Sequence, residues 1–588
     1  MMVAEPIIRA WLLLALSTFG AAQSLVVDGE VILDPTSTTN ATAPLFDGET
    51  RVLTDAVLKN LTDLQLTNTV LFAFPEAFDK DDLDAELIEA ITGPCKTFSD
   101  DFVGFPGTIT NKVFDLLLGG GLIQTTPFAA PCYTDFGNEN AAECAQINTN
   151  WYNDSYVHTN DPTSINAILF QGTSCVPHAV NPYLTHCTLG AYPKMSIRAT
   201  TVSHIQLAVN IARNLNLRLV IKNTGHDFGA KSTGAGSVSI WTHNMKDIKF
   251  YEDYEEGSYS GPAFKMGAGV QVYEAYEAAN KEGVTIVGGE GKTVGLTGGY
   301  TLGGGHSPIS SLYGMAADQV LSMEVITADG RFVTASETSN SDLFWALRGG
   351  GGSTFGVVTS MVIKVYPKMT VTTMKFSFST GEEVSVGQFW RGFRAYFDNF
   401  IKYTDAGTYG YFTVGGLTGK YVFDMHPWFA PNMTRAQLED LAAPFLDKLV
   451  NDVGIAIEPT YTEYDNFYDA WDSSFPLEPW GSNLGRSGSR LFPRANWENA
   501  TALNQTFDAV RYVVDSGGSI VGIVVRGAPE GGYPDNAVNP AWRETVFHAI
   551  SLVSWEQESS TEIVEFMSYI LTFDWLNVWR QMSPGAGA

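Results

Sequence analysis

Three glycine-rich loops, all lying between residues 220 and 358, constrain the fold of this chain more than any other feature. Each borders β-type runs, such as Leu219–Ile221 and Ser237–Trp241. Glycine lets the backbone turn its N–H groups toward one point and approach an anion closely. The pattern therefore predicts a site for a pyrophosphate-containing ligand. The loops read VIKNTGHDFGAKSTGAGSVSIW at 220–241, GGEGKTVGLTGGYTLGGGHS at 288–307 and RGGGGSTFGVV at 348–358.

Two common nucleotide-binding motifs do not account for these loops. None of them lies between a strand and a helix with an acidic residue about 20 positions further on, as a dinucleotide-binding fold requires. The segment Gly298–Ser307 also lacks the lysine that a P-loop needs. The first loop carries one imidazole, His226, and a histidine in an isolated loop is most often a turn residue.

The order and spacing of the motifs resemble those of one flavoprotein family. The segments NTGHDFGAKSTGAGS, GGEGKTVGLTGGYTLGGGHS, ADQVLSMEVITADGRFV and LFWALRGGGGSTFGVVTSMVIKVYP follow one another between residues 190 and 370. Together they resemble the FAD-binding domain of the vanillyl-alcohol oxidase / p-cresol methylhydroxylase (PCMH) family, in its fungal secreted berberine-bridge-enzyme-like branch. A weaker resemblance continues from NAVNPAWRETVFHAI at 536–550 to the end of the chain.

The resemblance implies an α+β fold, with a PCMH-type FAD-binding domain of two α/β subdomains and an antiparallel-sheet substrate domain. In that family the histidine of the GHD-type motif bonds covalently to the 8α-methyl carbon of the flavin, and here that residue is His226. The expected domains are a signal peptide (1–23), an irregular cysteine-bearing N-terminal lobe (24–189), the FAD-binding domain (190–370), the substrate domain (371–550) and a C-terminal helix returning toward the FAD domain (551–588).

The resemblance also implies which residues contact the FAD. The phosphates are expected at Asn223, Thr224, Gly225, Asp227 and Ser232, the ribityl chain and ring at Thr293, Gly298, Gly299, Gly303, Gly304 and Ser307, and the adenine side at Gly356 and Val357. Asp227 has an alternative role as a simple turn residue.

The second loop carries two further implications. Many relatives attach the flavin a second time through a cysteine in a G-x-C-x-T-V-G motif, and here Gly291 stands in the place of that cysteine. A single covalent bond is therefore expected. The family position at Val294 lies close to the flavin, and a small residue there resembles oxygen-reactive members. The alternative is that Val294 only packs.

The implied reaction passes a hydride from a C–H bond of an alcohol, a sugar or a secondary metabolite to the flavin, which dioxygen reoxidises with release of hydrogen peroxide. A base must take the hydroxyl proton. The candidate is Tyr411 in the strand TYGYFTV, whose alternative role is to pack within the sheet. Two other functions stay open: a flavin dehydrogenase or cyclising enzyme, and an inactive flavin-binding protein. The last is considered because the chain ends at Ala588 without the Tyr-x-Asn segment with which relatives continue.

Charge and cysteine content bound the partners and the compartment. The net charge of −29 argues against nucleic acid and anionic membranes as partners. The resemblance implies a small-molecule substrate and O2 as partners, and the chain is expected to be a monomer. Five cysteines predict two disulfides and one free thiol, and their spacing predicts no metal site. The cysteines are Cys95, Cys132, Cys144, Cys175 and Cys187.

The first residues predict export of the chain. Arg9 precedes an apolar run that is too short for the span of about 20 residues that a bilayer requires, and small residues follow at 20–22. These features are typical of a secretory signal, so the protein is expected to be secreted and extracellular. Sequons that predict surface glycans stand at Asn40, Asn60, Asn153, Asn432, Asn499 and Asn504.

Hydrophobic periodicity predicts the main elements. Helical spacing is found at 80–92, 202–215, 271–282, 343–347, 389–403 and 559–580. Strand patterns are found at 263–270, 321–327, 331–334, 357–365, 408–414, 420–426 and 520–526. Asp329-Gly330 predicts the turn of a hairpin, and Ser559 with Glu562 predicts a capping box.

Overall fold

The structure, a computed structural model, describes residues 26–27, 30–31, 41–63, 69–80, 83, 88, 91–92, 95–98, 108–417, 420–482 and 484–586. The predicted signal peptide, the sequon at Asn40 and most of the predicted helix at 80–92 lie outside these residues.

The strands up to residue 367 are β1 (Val26–Val27), β2 (Glu30–Val31), β3 (Leu122–Gln124), β4 (Met195–Arg198), β5 (Leu219–Lys222), β6 (Val238–Trp241), β7 (Ile248–Glu256), β8 (Tyr259–Gly267), β9 (Val284–Thr285), β10 (Val320–Ile326), β11 (Phe332–Ser336), β12 (Val357–Lys364) and β13 (Tyr366–Pro367). The later strands are β14 (Val371–Ser379), β15 (Tyr409–Leu417), β16 (Lys420–Pro431), β17 (Thr460–Tyr464), β18 (Gly485–Pro493), β19 (Ser519–Val524) and β20 (Thr545–Ser554).

The helices are α1 (Asp55–Asp63), α2 (Thr108–Leu117), α3 (Ala141–Asn150), α4 (Ser155–Thr159), α5 (Ile168–Gln171), α6 (Val202–Asn214), α7 (Val272–Lys281), α8 (Ser310–Tyr313), α9 (Ser341–Leu347), α10 (Val386–Phe397), α11 (Phe400–Asp405), α12 (Arg435–Asp447), α13 (Phe467–Ser474), α14 (Ala495–Glu498), α15 (Ala500–Asp515), α16 (Ala541–Glu544), α17 (Thr561–Tyr569) and α18 (Leu576–Met582).

Two sheets carry the glycine-rich loops. The first has the order β3-β4-β6-β5, and β6 pairs in parallel with both β4 and β5. Parallel strands need a crossover connection, and α6 connects β4 to β5, the two strands that flank β6. The second sheet is antiparallel with the order β11-β10-β12-β8-β7, and β10–β11 is the predicted hairpin. The first loop follows β5, and the third lies between α9 and β12.

A seven-stranded antiparallel sheet, of order β17-β14-β16-β15-β19-β20-β18, covers this region from the other side. Neighbouring residues of β15 face opposite ways, because side chains alternate along a strand. Phe412 and Val414 lie in an aromatic core with α10, α11 and α15. Tyr409 and Tyr411 instead pack in the core that contains Val325 of the second sheet. This sheet therefore presents one face toward the glycine-rich loops.

The segment before residue 190 contributes to the same cores. Strand β3 extends the first sheet, and Leu53, Leu61 and Phe72 are buried in one cluster with α6. Lys265 of β8 forms an ion pair of 2.7 Å with Glu49, and both side chains are 1% exposed. The domain boundary at residue 190 stays a prediction, but the hydrophobic core extends across it.

The cysteine prediction is confirmed. Cys132 bonds Cys144, Cys175 bonds Cys187, and Cys95 is a free, exposed thiol. Of the helices in the described part of the chain, none combines the length and apolarity needed to cross a bilayer.

Two helix boundaries differ from the sequence prediction. The aromatic stretch at 389–403 is two helices, α10 and α11, separated at Asp398 and Asn399. The C-terminal helical stretch begins at Thr561 after Ser560, one residue later than a cap at Ser559 implies. The expected capping box does not form, because Ser560 is the N-cap residue, its side chain accepts no backbone N–H, and Glu562 stands only two residues after it.

Candidate functional site

The first glycine-rich loop starts where β5 ends, at Lys222, and turns sharply at Gly225. Gly225 has a φ of +86°, and an added Cβ would lie 2.6 Å from the carbonyl oxygen of Ser164, so only glycine fits. Among the described residues, the backbone N–H groups from Thr224 to Gly229 donate no hydrogen bond. A row of unused N–H groups in a tight loop is a binding site for an anion.

His226 ties the first loop to the second. Its Nε2 lies 2.7 Å from Oγ1 of Thr293, whose hydroxyl donates to Oγ of Ser155 at 2.9 Å. The Ser155 hydroxyl in turn donates to Oε2 of Glu478 at 3.5 Å. This direction of donation makes Nε2 the protonated nitrogen of His226 and leaves Nδ1 with its lone pair.

The imidazole of His226 is held neutral. The edge of its ring meets Trp480, with ring centroids 4.8 Å apart. Burial, together with the nearby Lys222 and His158, lowers the pKa of His226 to about 3. Lys222 donates to the carbonyl of Asp161 at 2.8 Å, and burial lowers its pKa to about 8. A neutral imidazole is the form that forms a bond through a ring nitrogen.

The other two loops meet at the same place. Asn223 of the first loop fills the space over Gly295 and Gly298, since a Cβ at either glycine would lie 2.0 Å or 2.6 Å from its side-chain atoms. The third loop reaches the second through backbone N–H groups of Gly349 and Gly351, which both donate to the carbonyl of Leu302. All three loops therefore surround one region.

Several residues expected at the phosphates have protein partners instead. Asp227 accepts from the backbone N–H groups of Lys231 and Ser232 and from the Ser232 hydroxyl, so it organises the turn. The amide of Asn223 donates to Thr242 and Ala268. The contacts of Asp227 therefore support its alternative role as a turn residue. The remaining hydrogen-bond donors of this loop are backbone N–H groups.

The remaining predicted contacts divide between open and packed positions. A Cβ at Gly299 would meet no atom within 4 Å, whereas one at Gly303 would lie 3.1 Å from the carbonyl oxygen of Gly299. Gly304 has a φ of +110°. Ser307 accepts from the backbone N–H of Ile309, and Val357 is buried in the core around α6.

Gly291, at the expected cysteine position, lies against a carboxylate. An added Cβ there would be 2.1 Å from Oε1 of Glu478 and 2.8 Å from Cγ2 of Val294. Val294 itself is half-buried and packs on the core of the second sheet. No side chain at residue 291 can be accommodated unless Glu478 moves.

A polar recess lies between the second loop and the seven-stranded sheet. Glu290 and His306 come from the loop, and their Oε1 and Nδ1 atoms are 4.0 Å apart. The ring of His306 stacks on Trp542 at 5.3 Å and meets the edge of His548 at 5.9 Å. Tyr411 lies near enough for the charge of Glu290 to affect its pKa. We refer to Glu290, His306, His548 and Tyr411 as the polar recess.

Burial controls the ionisation of these groups. It raises the pKa of Glu290 to about 8, with a further contribution from the charge of Glu478. It lowers the pKa of His306 to about 4 and that of His548 to about 3. Burial and the charge of Glu290 raise the pKa of Tyr411 to about 12, which leaves little phenolate at neutral pH and weakens the case for Tyr411 as a base.

These residues fit the FAD that the motifs imply. The unused N–H groups of the first loop suit a pyrophosphate, the neutral His226 offers a nitrogen for attachment, and a Cβ at Gly299 or Gly351 would meet no atom within 4 Å. The roles of Glu290, His306 and Glu478 were not found from the sequence. The available signal was a lone carboxylate and a lone imidazole in a loop made largely of glycine.

Comparison with known proteins gives consistent matches. A family model described as an FAD binding domain matches residues 193–336. The FAD-linked oxidoreductase ZEB1 of Gibberella zeae is 36% identical over 497 residues, which cover 84% of this chain and 85% of that protein. The VAO-type flavoprotein oxidase VAO615 of Thermothelomyces thermophilus is 37% identical over 456 residues, covering 76% of this chain and 77% of that protein.

Solved structures match over most of the chain as well. The VAO-type flavoprotein MtVAO615 from Myceliophthora thermophila C1 has a TM-score of 0.77 at 33% identity, covering 84% of this chain and 89% of that one. Berberine bridge enzyme from Eschscholzia californica has a TM-score of 0.54 at 17% identity, covering 76% and 85%. The latter likeness concerns the fold alone.

Proposed function

The chain belongs to the VAO-type FAD-linked oxidoreductases, and from that premise we propose that it is an oxidase whose flavin is attached through His226 alone. Its donor is an alcohol, a sugar or a secondary metabolite, which passes a hydride to the flavin. Dioxygen is the electron acceptor, and hydrogen peroxide is the second product.

The observation that carries the proposal is the position of the His226 imidazole. Its Nε2 is hydrogen-bonded to Thr293 at the meeting point of the glycine-rich loops, and its Nδ1 keeps its lone pair. A half-buried, neutral imidazole held at one nitrogen presents the other for bonding. The low pKa of His226 supports this role over a wide range of pH.

The protein positions the reacting groups and provides their electrostatic environment, whereas the bound flavin supplies the redox chemistry. Backbone N–H groups of residues 224–229, which donate no hydrogen bond within the described chain, would hold the pyrophosphate. The second loop, from Thr293 to Ser307, would line the ribityl chain and ring, and Gly356 and Val357 would lie on the adenine side. On this proposal FAD binds within the domain 190–370, and the substrate domain 371–550 supplies the opposite wall of the recess.

The surroundings of Gly291 support the proposed attachment at a single residue. Glycine cannot form the second covalent bond, and Glu478 occupies the space in which another side chain would begin. The half-buried, small Val294 next to this position supports access of dioxygen. The relative named a VAO-type flavoprotein oxidase supports the oxidase reading for this chain as well.

Export of a monomeric glycoprotein completes the proposal. Two disulfides suit an oxidising compartment. The sequon residues Asn153, Asn432, Asn499 and Asn504 are exposed, as glycan attachment requires.

Oxygen consumption tests the proposal. The purified yellow protein is mixed with a panel of alcohols, sugars and phenolic metabolites in an oxygen electrode, and peroxide is assayed in parallel. We expect at least one donor to consume O2 and form one peroxide per oxidised donor. Reduction of the flavin without oxygen consumption would contradict the oxidase.

A dehydrogenase or cyclising enzyme is the second candidate. The bifunctional decalin synthase calF of Penicillium decumbens is 33% identical over 487 residues, so related chains carry names other than oxidase. Anaerobic bleaching of the flavin by a donor, with slow reoxidation in air, identifies this alternative. A flavin that no donor bleaches identifies the inactive protein instead.

A further inference from the structure

The polar recess and the neighbouring Glu478 contain four buried polar atoms without partners. Within the described part of the chain, Oε1 of Glu290, Nδ1 of His306, Nδ1 of His548 and Oε1 of Glu478 have no hydrogen-bond partner. Unpaired buried polar groups are costly in a folded protein, and they cluster where a ligand supplies the missing bonds. A ligand with a hydroxyl group can donate to a carboxylate and accept from a neutral imidazole.

The recess is rigid around His306. Its ring is stacked between Trp542 at 5.3 Å and Tyr409 at 6.4 Å, and the edge of His548 closes a third side. Trp542 in turn meets His548 at 5.2 Å. Side chains held by packing keep a fixed geometry toward a substrate. Packed in this way, His306 holds its Nδ1 4.0 Å from Oε1 of Glu290.

On the proposed function, we propose that Glu290 is the base that takes the hydroxyl proton of the substrate, and that this hydroxyl is held between Oε1 of Glu290 and Nδ1 of His306, which lie 4.0 Å apart without partners. Glu290 belongs to the second glycine-rich loop and directly precedes Gly291, the residue in the place of the second-attachment cysteine. Its side chain is 20% exposed, so the carboxyl group is not sealed in the core.

The reaction balances with groups already named. The O–H bond of the substrate breaks, and its proton goes to Glu290. The adjacent C–H bond breaks, its hydrogen and both electrons go to the flavin, and a carbonyl forms on the substrate. Glu290 then releases its proton to solvent, while dioxygen takes the two electrons and two protons as hydrogen peroxide.

The charge environment sets the pH at which this base works. Burial and the like charge of Glu478 hold the pKa of Glu290 at about 8. His306 faces it as a neutral imidazole, and Tyr300 and Tyr411 face it as neutral phenols. Turnover should therefore rise with pH up to about 8, because the carboxylate is the active form.

The Glu290→Gln variant tests the proposal. Positioned proton transfer contributes about 10²- to 10⁴-fold, so we expect the rate of flavin reduction by substrate to fall by roughly that factor. The visible spectrum of the flavin and the reoxidation of dithionite-reduced enzyme by O2 should be unchanged. Glu277→Gln, which removes an exposed carboxylate on α7, is the matched control and should reduce at the wild-type rate.

The Glu478→Gln variant tests the role of Glu290 through the pH profile of turnover, which would not change if Glu290 were only structural. Removing its charge should shift the pH profile of turnover toward acid, because the repulsion that raises the pKa of Glu290 is lost. Full activity of Glu290→Gln, or an unshifted profile in Glu478→Gln, would overturn the assignment.

Unfolding temperatures measured at two pH values test the role of Glu290 independently of the proposed oxidase activity. The folded wild type ionises Glu290 only above a pKa of about 8, so it loses stability relative to Glu290→Gln as the pH rises to that value. We expect the variant to gain in unfolding temperature over the wild type at pH ~9 but not at pH ~5. If no donor reduces the wild type, the oxidase proposal fails. An equal difference at the two pH values overturns the role of Glu290.

Discussion

Replacing Thr293 by valine tests how the histidine is prepared for attachment. The two side chains have nearly the same shape, but valine has no hydroxyl to accept from Nε2 of His226 or to donate to Ser155. The substitution therefore interrupts the hydrogen-bonded chain from His226 to Glu478. The imidazole is left free to rotate and to change its tautomer.

The size of the effect follows from the lost hydrogen bond. A buried N–H group left without an acceptor costs about 1–3 kcal/mol. Since about 1.4 kcal/mol of barrier changes a rate tenfold, covalent attachment should be roughly 5- to 150-fold slower. Binding of FAD should persist, because the N–H groups of residues 224–229 are not altered.

The assay follows attachment with time. Protein from a riboflavin-limited host is incubated with FAD, portions are precipitated with acid, and the flavin in pellet and supernatant is measured. Thr297→Val is the matched control, because Thr297 lies in the same loop and its hydroxyl donates to the carbonyl of Gly267 at 2.6 Å, away from His226. Equal rates for Thr293→Val and Thr297→Val would refute the reasoning.

Two further substitutions test the packing around the site. Gly291→Ala forces Glu478 aside, since the new Cβ lies 2.1 Å from its Oε1, and should lower the free energy of unfolding by about 1–3 kcal/mol in denaturant titrations. In the control Gly531→Ala the new Cβ meets no atom within 4 Å, so the free energy of unfolding should not change. Equal effects of the two substitutions would contradict the contact between residue 291 and Glu478. Lys265→Met leaves Glu49 buried without its ion pair and should cost about 3–5 kcal/mol. Arg435→Met, which removes an exposed pair with Glu439, should cost under about 1 kcal/mol, and a similar loss in both would refute the buried-pair argument.

The sequence predicted the glycine-rich loops and their elements because those signals are local. The turn at Gly225, the helix α6 and the β10–β11 hairpin all depend on residues close together in the chain. The two disulfides followed from the number of cysteines, although their pairing required the structure.

The polar recess could not be predicted in this way, because its members come from one loop and two strands that are far apart in the chain. Glu290 and His306 meet His548 and Tyr411 only when β15 and β20 of the seven-stranded sheet cover the second loop. The sequence offered Tyr411 as the base, and the raised pKa of its phenol depends on burial that only tertiary structure produces.

The N-terminal segment gives a second example. Glu49 lies far from Lys265 in the chain, so no local pattern indicates their ion pair. The hydroxyls of Thr359 and Ser360 also donate to Glu49. The sequence indicated an irregular lobe before residue 190, whereas these contacts anchor its first part in the core of the second sheet.

The mass of the peptide that contains His226 tests the central claim most directly. The purified protein is denatured and digested with trypsin, and the peptides are fragmented in a mass spectrometer. We predict that one FAD is carried on His226 and on no other residue, and that His226→Ala releases all of its flavin on denaturation. An unmodified His226 in a yellow wild-type protein, or flavin bonded to a different residue, would contradict the account.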